Sequence, residues 1–201
     1  MGKTFYFISK VVERSLSIAY TAILRMWSSN VKIGRGSIVY YKASIVCLSH
    51  LGGVKIGKNC KIGCSPMRYH VGMPFYTRLL VDGKDSTITI GDNCRINGAS
   101  IHAGSSIEIG NNCVMASGVS IIDSNGHEVY SKDRTVGSDK PQPISIGDNV
   151  WIGLNAVILK GTVIGDNCVV SVGSVVKGTF LRNSLIAGNP AVVVKHLEID
   201  A

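Results

Sequence analysis

Branched aliphatic residues recur at every sixth position in the C-terminal half of the chain. Starting at Ile146, five consecutive steps of six end on a β-branched residue, at Ile152, Ile158, Ile164, Val170 and Val176. A helix would favour steps of three and four, and the glycines in this region would each cost about 1 kcal/mol inside it. A period of six instead predicts a parallel β-helix, in which three hexapeptides form one coil of about 18 residues with the aliphatic side chains inside.

A short motif marks the same period elsewhere. Its copies read Ile-Gly-x-Asn-Cys or Ile-Gly-x-Asn-Val and begin at Ile56, Ile90, Ile109, Ile146 and Ile164. Because Val150 replaces cysteine in one copy, this position behaves as a small buried hydrophobe. The cysteines therefore favour neither disulfides nor metal, and we expect a reducing, cytoplasmic compartment. Successive motif starts lie close to either one or two coil lengths apart, which supports the same period.

Two stretches interrupt the period. Residues 123–143 contain seven charged residues, and the period resumes at Ile144, which predicts a loop extruded from the coils. Long loops on a rigid scaffold often carry function. Residues 64–86 are also irregular, but the interval from Ile56 to Ile90 approaches two coil lengths. We therefore expect a distorted coil there rather than a second excursion.

The N-terminus follows a different pattern. Within residues 3–27, apolar residues follow steps of three and four, which predicts an amphipathic helix. They are Phe5, Ile8, Val12, Leu16, Ala19 and Ile23. Residues 1–42 hold seven Lys or Arg and one acid, and so most of the net charge of +8. Two interpretations stay open: the helix packs on the coils or at a subunit contact, or it anchors the protein at an anionic membrane surface.

Composition narrows the class further. The 201 residues are 45% hydrophobic and 17% charged, which favours one folded domain over a disordered chain. The longest uncharged run, residues 109–122, is shorter than the ~18–20 residues of a membrane-spanning helix. We expect no secretory signal. Nucleic-acid binding is not expected either, because the basic residues are not interleaved with stacking aromatics.

The repeated pattern [Ile/Val]-Gly-Asp-Asn-x-x-[Ile/Val]-Gly resembles that of the hexapeptide-repeat acyltransferases. Residues 149–190, from Asn-Val-Trp-Ile-Gly to Ala-Gly-Asn-Pro, are similar to the end of bacterial sugar and polysaccharide O-acetyltransferases. The resemblance covers about residues 31–195. It implies an all-β fold, a left-handed parallel β-helix with an N-terminal α-helix and one extruded loop. The expected organisation is a helix over 1–28, the β-helix over 29–195 with its loop at 123–143, and a tail over 196–201.

Of the five histidines, only His127 lies in the interrupting loop. Imidazole, with a pKa near ~6.5, suits a general base at physiological pH. In the family the general-base histidine lies in this loop after a glycine, as His127 follows Gly126. The resemblance thus implies direct transfer of an acetyl group from acetyl-CoA to a sugar-type hydroxyl, without a metal. Asp123 either orients the imidazole or caps a turn.

The resemblance also suggests binding residues. Asn97 falls near an asparagine that contacts the acceptor, if one residue of register is allowed. The positions that match the family's CoA groove are Trp151, Leu154, Val172, Gly173, Lys177 and Lys195. The arginines expected for the CoA phosphates are absent, and Lys160, Lys177, Arg182 and Lys195 could supply the charge instead. A homotrimer is implied, because this groove is closed by a neighbouring subunit.

Several alternatives remain at this stage. The same fold serves N-acetyltransferases of nucleotide-linked amino sugars and serine or antibiotic acetyltransferases, and an amine acceptor is compatible with the same histidine. A non-catalytic scaffold and a γ-class carbonic anhydrase belong to other functional classes. The latter needs two histidines five apart, whereas His102 and His127 are 25 apart.

Overall fold

The structure, a computed structural model, describes residues 2–199, so the ends of the predicted helix (residue 1) and tail (residues 200–201) lie outside the described residues. In that range one helix, α1 (Gly2–Trp27), precedes a long series of short strands and one 3₁₀ turn at Pro66–Arg68. The strands are β1 (Val31–Ile33), β2 (Ile38–Val39), β3 (Ser44–Cys47), β4 (Gly53–Ile56), β5 (Lys61–Ile62), β6 (Arg78–Val81), β7 (Thr87–Ile90), β8 (Arg95–Ile96), β9 (Ser100–Ala103), β10 (Ser106–Ile109), β11 (Val114–Met115), β12 (Ser120–Ile122), β13 (Ile144–Ile146), β14 (Trp151–Ile152), β15 (Val157–Leu159), β16 (Val163–Ile164), β17 (Val169–Val170), β18 (Val175–Val176), β19 (Thr179–Phe180), β20 (Ser184–Gly188) and β21 (Ala191–His196).

Strands β1 to β20 form three parallel sheets that the chain visits in strict rotation. The first sheet has the order β1-β4-β7-β10-β13-β16-β19, the second β2-β5-β8-β11-β14-β17-β20-β21 and the third β3-β6-β9-β12-β15-β18. Each circuit through the three sheets is one coil, and each coil stacks on the last through parallel hydrogen bonds. The predicted hexapeptide solenoid is thus confirmed as a mostly β, parallel architecture with one helix.

The six-residue period places the aliphatic side chains inside the coils. The motif isoleucines pair in register from coil to coil, as Ile56 with Ile90 and Ile146 with Ile164 do, and these four are at most 4% exposed. The cysteines of the motif and Val150 are also buried. Such continuous aliphatic columns form one core along the whole stack.

The asparagine of each motif turns the chain from the first sheet to the second. Asn93, Asn112, Asn149 and Asn167 all have φ between 55° and 60°, a left-handed conformation that asparagine tolerates better than most residues. Their side chains also stack. The amide of Asn149 donates to Asn167, and Asn167 donates to Asn183, at 3.0 and 2.9 Å. The motif therefore encodes a corner as well as a core position.

The expectation for residues 64–86 was wrong. Strand β4 pairs directly with β7, so the interval from Ile56 to Ile90 forms one coil and not nearly two. The additional residues of this coil lie at 63–77, at the corner between the second and third sheets. One coil later, the same corner is formed by residues 97–99 alone. Residues 63–77 are called the corner insertion below. The spacing between Ile56 and Ile90 gave a wrong prediction because the inserted residues are nearly as many as the residues of one coil.

Helix α1 packs on the first coil through the buried Ser17 and Thr21, with Tyr20 and Leu24 against the edge of the core. Thr21 Oγ1 accepts a hydrogen bond from the amide of Val39 at 2.9 Å, and Ser17 Oγ accepts one from the amide of Tyr41 at 3.2 Å. The first coil has no preceding coil to satisfy its backbone groups, so the facing side of the helix supplies hydroxyl acceptors at these two positions.

The predicted apolar face of α1 consequently points outward. Ile8, Val12, Leu16 and Ile23 are between 45% and 54% exposed, and Ala19 is exposed as well. The side chain of Phe5 lies outside the described residues. The predicted helix is confirmed, and it packs on the coils. Its predicted apolar face, however, points away from the coils and toward solvent.

The last strand reverses the pattern of the stack. Strand β21 pairs antiparallel with β20, which covers the final edge of the second sheet. No helix within residues 2–199 combines the length and the apolar character needed to cross a bilayer.

Candidate functional site

The extruded loop, residues 123–143, leaves the coils after β12 in the third sheet and returns at β13 in the first. Strand β10 below it pairs directly with β13 above it, so the loop adds nothing to the coil stack. Most of its residues are exposed. Residues 123–143 therefore project from the corner between the third and first sheets.

Asp123 fixes the start of the extruded loop. Its side chain is fully buried, and its two carboxylate oxygens accept hydrogen bonds from the amides of Gly104 and Ser105 at 2.8 and 2.7 Å. Burial raises the pKa of Asp123, and these two amides oppose the rise. Among the described residues Asp123 makes no hydrogen bond to His127, so its orienting role stays a prediction.

A second anchor lies near the end of the loop. Lys160, on the coil above, donates to both carboxylate oxygens of Asp139 at 2.7 and 2.6 Å, and the amide of Asn125 donates to the same carboxylate at 2.8 Å. Lys160 holds the pKa of Asp139 below its usual value. Asn125 lies two residues before His127, so this ion pair fixes the backbone that carries the imidazole. Sequence reasoning named Lys160 as one of four cations that could meet the CoA phosphates, and it missed this partner.

His127 itself is exposed on a turn of the loop. Gly126 before it has φ +78°, a backbone conformation in which a residue with a side chain would be strained. The Gly126 amide donates to Ser124 Oγ at 3.0 Å. No hydrogen bond fixes the imidazole among the residues described. In a single chain the imidazole ring therefore faces solvent. Its position is set by the anchored backbone at Asp123 and Asn125 before it and at Asp139 after it.

The predicted donor-binding residues gather mostly on the second sheet and the corner that follows it. Trp151 and Lys195 lie in one row of the second sheet, and Trp151 is 55% exposed. Leu154 and Gly173 stack at the corner toward the third sheet, where the Gly173 amide donates to the Leu154 carbonyl at 2.8 Å. Val172 at the same corner is 65% exposed. Trp151 and Val172 therefore present apolar surface to solvent.

The remaining predicted residues divide between two corners. Asn97 follows β8, so it shares the second–third corner with Leu154 and Val172. Lys177 follows β18 and therefore shares the third–first corner with His127. One chain thus separates the candidate base from most of the candidate binding residues by the width of the third sheet.

The structure adds a pair that the sequence did not single out. His102 Nε2 lies 2.7 Å from Asp82 Oδ2 on the outer face of the third sheet, and both side chains are about one-third exposed. The His102 carbonyl accepts a hydrogen bond from the Asp123 amide at 3.4 Å, so the pair lies beneath the start of the extruded loop. Only the pairing of β6 with β9 brings the two side chains together, and sequence spacing does not contain that information.

The motif cysteines are fully buried inside the coils, so no substrate reaches them, although hydrogen bonding with Cys94 lowers the pKa of Cys113. The hydrogen bond that the Cys60 thiol donates to Cys94, together with burial, raises the pKa of Cys60, and the pKa of Cys94 is raised to about 11. A thiol in that range is protonated at neutral pH. Within residues 2–199 no group of three or more His, Cys, Asp or Glu side chains is placed to hold a metal ion.

Comparison with known proteins gives a family context. The sequence pattern of the family described as "Hexapeptide repeat of succinyl-transferase" matches residues 87–122 and 143–177. Galactoside O-acetyltransferase of Escherichia coli is 34% identical over 131 residues, which is 64% of this chain and 54% of that protein. The chain spans about half the length of the curated relatives it matches.

Solved structures share the fold. A galactoside acetyltransferase in complex with coenzyme A has a TM-score of 0.53 and 32% identity, covering 59% of this chain and 65% of that one. AntD, an N-acyltransferase from Bacillus cereus in complex with dTDP and coenzyme A, has a TM-score of 0.67 over 88% of this chain and 89% of that one. At 18% identity, AntD is similar in fold alone.

Proposed function

We propose that this chain, which belongs to the hexapeptide-repeat proteins and is similar to acetyltransferases, transfers an acetyl group from acetyl-CoA to a hydroxyl of a sugar or polysaccharide precursor. We also infer that its coils wind left-handed, as the resemblance implies. The observation that carries the proposal is His127, exposed on a loop whose backbone is fixed at both ends by buried or paired carboxylates.

In the proposed reaction His127 takes the proton from the acceptor hydroxyl as its oxygen attacks the thioester carbonyl. The tetrahedral oxyanion is stabilised by backbone N–H donors, and the C–S bond then breaks to release CoA as the thiolate. The imidazolium proton passes to that thiolate or to water. A covalent acetyl-enzyme is not needed, and the full burial of the motif cysteines supports its absence.

The division of residues between two corners supports a homotrimer. His127 projects from the third–first corner, whereas Asn97, Leu154 and Val172 lie at the second–third corner. A groove between two protomers would bring the base of one against the binding residues of the other. Sedimentation should then give three times the mass of one chain, and a fully active monomer would contradict this arrangement.

CoA in that groove would lie against the exposed Trp151 and Val172. Lys177 and Lys195 are exposed and could meet its phosphates. Lys160 is committed to Asp139 and is therefore removed from that list. Its role becomes loop positioning.

The test is His127→Ala, measured by thiol release from acetyl-CoA with a panel of sugars and lipid-linked oligosaccharides. Loss of a general base should reduce transfer by about 10²–10⁴-fold. His50→Ala, an exposed histidine on the first coil, is the matched control and should retain full activity. Activity of His127→Ala within a few-fold of the parent would exclude the imidazole as base.

An amine acceptor is the second candidate. The same base could deprotonate an ammonium acceptor, and nothing in the described geometry around His127 selects a hydroxyl over an amine. Amino sugars in the same panel, with products identified by mass, separate O-transfer from N-transfer. Cytoplasmic location remains part of the proposal, since acetyl-CoA is the donor.

A further inference from the structure

A cavity of about 370 Å³ lies between helix α1 and the corner insertion, at the N-terminal end of the coil stack. Four cationic side chains line it, Lys10 and Arg14 from the helix, Lys61 from β5 and Arg68 from the insertion. One carboxylate, that of Glu13, also lines it. We call this space the basic cavity. Its charge is strongly positive because four cations face a single acid.

Arg68 is the unusual member of this group. Its Nη2 pairs with Glu13 Oε2, and Ser65 Oγ donates to the other oxygen of Glu13 at 3.1 Å. The carboxylate is thereby occupied on both oxygens. Arg68 Nη1 is buried yet has no hydrogen-bond partner among the described residues. A buried guanidinium N–H without an acceptor is costly, so it indicates a missing acceptor at this place.

Tyr40 and the remaining cations add further donors around the cavity. Tyr40, 6% exposed, lines it, and burial raises the pKa of its phenol to about 12, so the hydroxyl keeps its proton at physiological pH. Lys10, Arg14 and Lys61 are exposed and make no ion pair within residues 2–199. Several donors with no matching acceptor favour an anion with several oxygens.

We propose that the basic cavity binds a phosphate group, with Arg68 Nη1 as the buried donor and Lys10, Arg14 and Lys61 around the entrance. Arginine forks and lysine ammonium groups are the residues that recognise phosphate oxygens. The cavity lies on the first two coils, whereas the proposed CoA residues lie on the last coils. It is therefore a second site and goes beyond the proposed transfer reaction.

The phosphate could belong to a soluble ligand or to a lipid headgroup. The cavity entrance adjoins α1, whose outward face carries Phe7, Val11 and Ile18 at 48–65% exposure. When successive residues are placed 100° apart, no charged residue among residues 6–24 falls on the side of the helix wheel that runs from Phe7 through Val11 to Leu16, and Arg25 lies at its edge. A membrane surface would cover this face and present phosphates to the basic residues beside it.

The experiment measures binding of two probes to the full chain. The soluble probe is inorganic pyrophosphate, titrated calorimetrically. The lipid probe is phosphatidylcholine vesicles with or without phosphatidic acid, in a flotation assay. The test variant is Lys10→Gln, Arg14→Gln, Lys61→Gln, and the matched control is Lys32→Gln, Lys55→Gln, Lys58→Gln, which removes three exposed cations from the first sheet and its turn.

We expect the test variant to weaken binding of one probe by about 10-fold or more, while the control retains it. Weaker pyrophosphate binding identifies a soluble phosphate ligand, and weaker flotation with phosphatidic acid alone identifies a lipid headgroup. Arg68→Lys, which keeps the charge beside Glu13 but not the second donor arm, should weaken the same probe. Equal binding of both probes by parent, test variant and control would overturn the proposal, as would equal losses in test and control.

Discussion

Asp123 offers a direct test of how the extruded loop is held. Both of its oxygens accept backbone hydrogen bonds, from Gly104 and Ser105. Asp123→Ala removes both acceptors and leaves two N–H donors unpaired, and each unpaired buried donor costs about 1–3 kcal/mol. Because Gly104 and Ser105 are partly exposed, water replaces some of the lost bonding. We therefore expect the free energy of unfolding to fall by about 2–3 kcal/mol.

Asp123→Asn is the matched variant. The amide keeps one acceptor oxygen, but its NH₂ group faces a backbone donor. Against this loss, the variant removes a charge whose burial raises the pKa of Asp123 in the parent. The two effects oppose each other, so we expect a smaller loss of about 1–2 kcal/mol. The order of stability should be parent, then asparagine, then alanine.

Urea denaturation followed by circular dichroism measures these differences. With a slope of about 2–3 kcal/mol per molar urea, the midpoint for Asp123→Ala should fall by about 1 M. Hydrogen exchange supplies the local readout, because the Gly104 and Ser105 amides should lose protection in the alanine variant. Unchanged midpoints and unchanged protection would refute the anchoring role. If kcat fell while both readouts stayed constant, Asp123 would instead act through the imidazole.

Three further perturbations test other contacts. Lys160→Met should speed protease cleavage of the extruded loop and lower kcat, while KM for acetyl-CoA stays the same. Because Lys160 lowers the pKa of Asp139, the ion pair stabilises the loop at pH values above the usual carboxyl pKa. Cleavage of the parent loop should therefore accelerate below about pH 4. Equal cleavage rates would contradict this. Asn167→Ala should lower Tm more than Asn167→Gly, because only alanine is strained at φ 58° by about 1–2 kcal/mol; the reverse order would exclude strain. Thr21→Val should destabilise the docking of α1 by about 1–3 kcal/mol, measured by thermal unfolding, because the Val39 amide loses its acceptor. The control is Ser15→Val, which removes an exposed hydroxyl from the outer side of the helix and should leave docking unchanged.

Much of the fold was predictable because its signal is local and repeated. A branched residue every six positions and a motif ending in Asn-Cys specify an inward side chain and a corner, and both recur in the structure. The six-residue period gave a wrong prediction at the corner insertion, because the length of the insertion is close to the length of one coil. Pairing of β4 with β7 is a long-range fact that spacing cannot contain.

The site was less predictable, because its contacts join distant parts of the chain. His127 stands out in sequence as the histidine of an interrupting loop, and its catalytic role stays a prediction. The contacts of Asp123 with Gly104 and of Asp139 with Lys160 depend on which coil lies beside which. The helix illustrates the same limit: its periodicity predicted the element, yet the unsatisfied edge of the first coil decided which side faces inward.

The two ends of the stack have a consequence for solubility. A parallel solenoid exposes strand edges that could accept the strands of another copy and grow into a filament. Here Thr21 and Arg25 of α1 occupy backbone groups at the first edge, and β21 runs backwards along the last strand of the second sheet. A helix and a reversed strand cannot continue a parallel array. The chain thus terminates its own polymerisation along that sheet while leaving the outer sides of the coils free for lateral assembly.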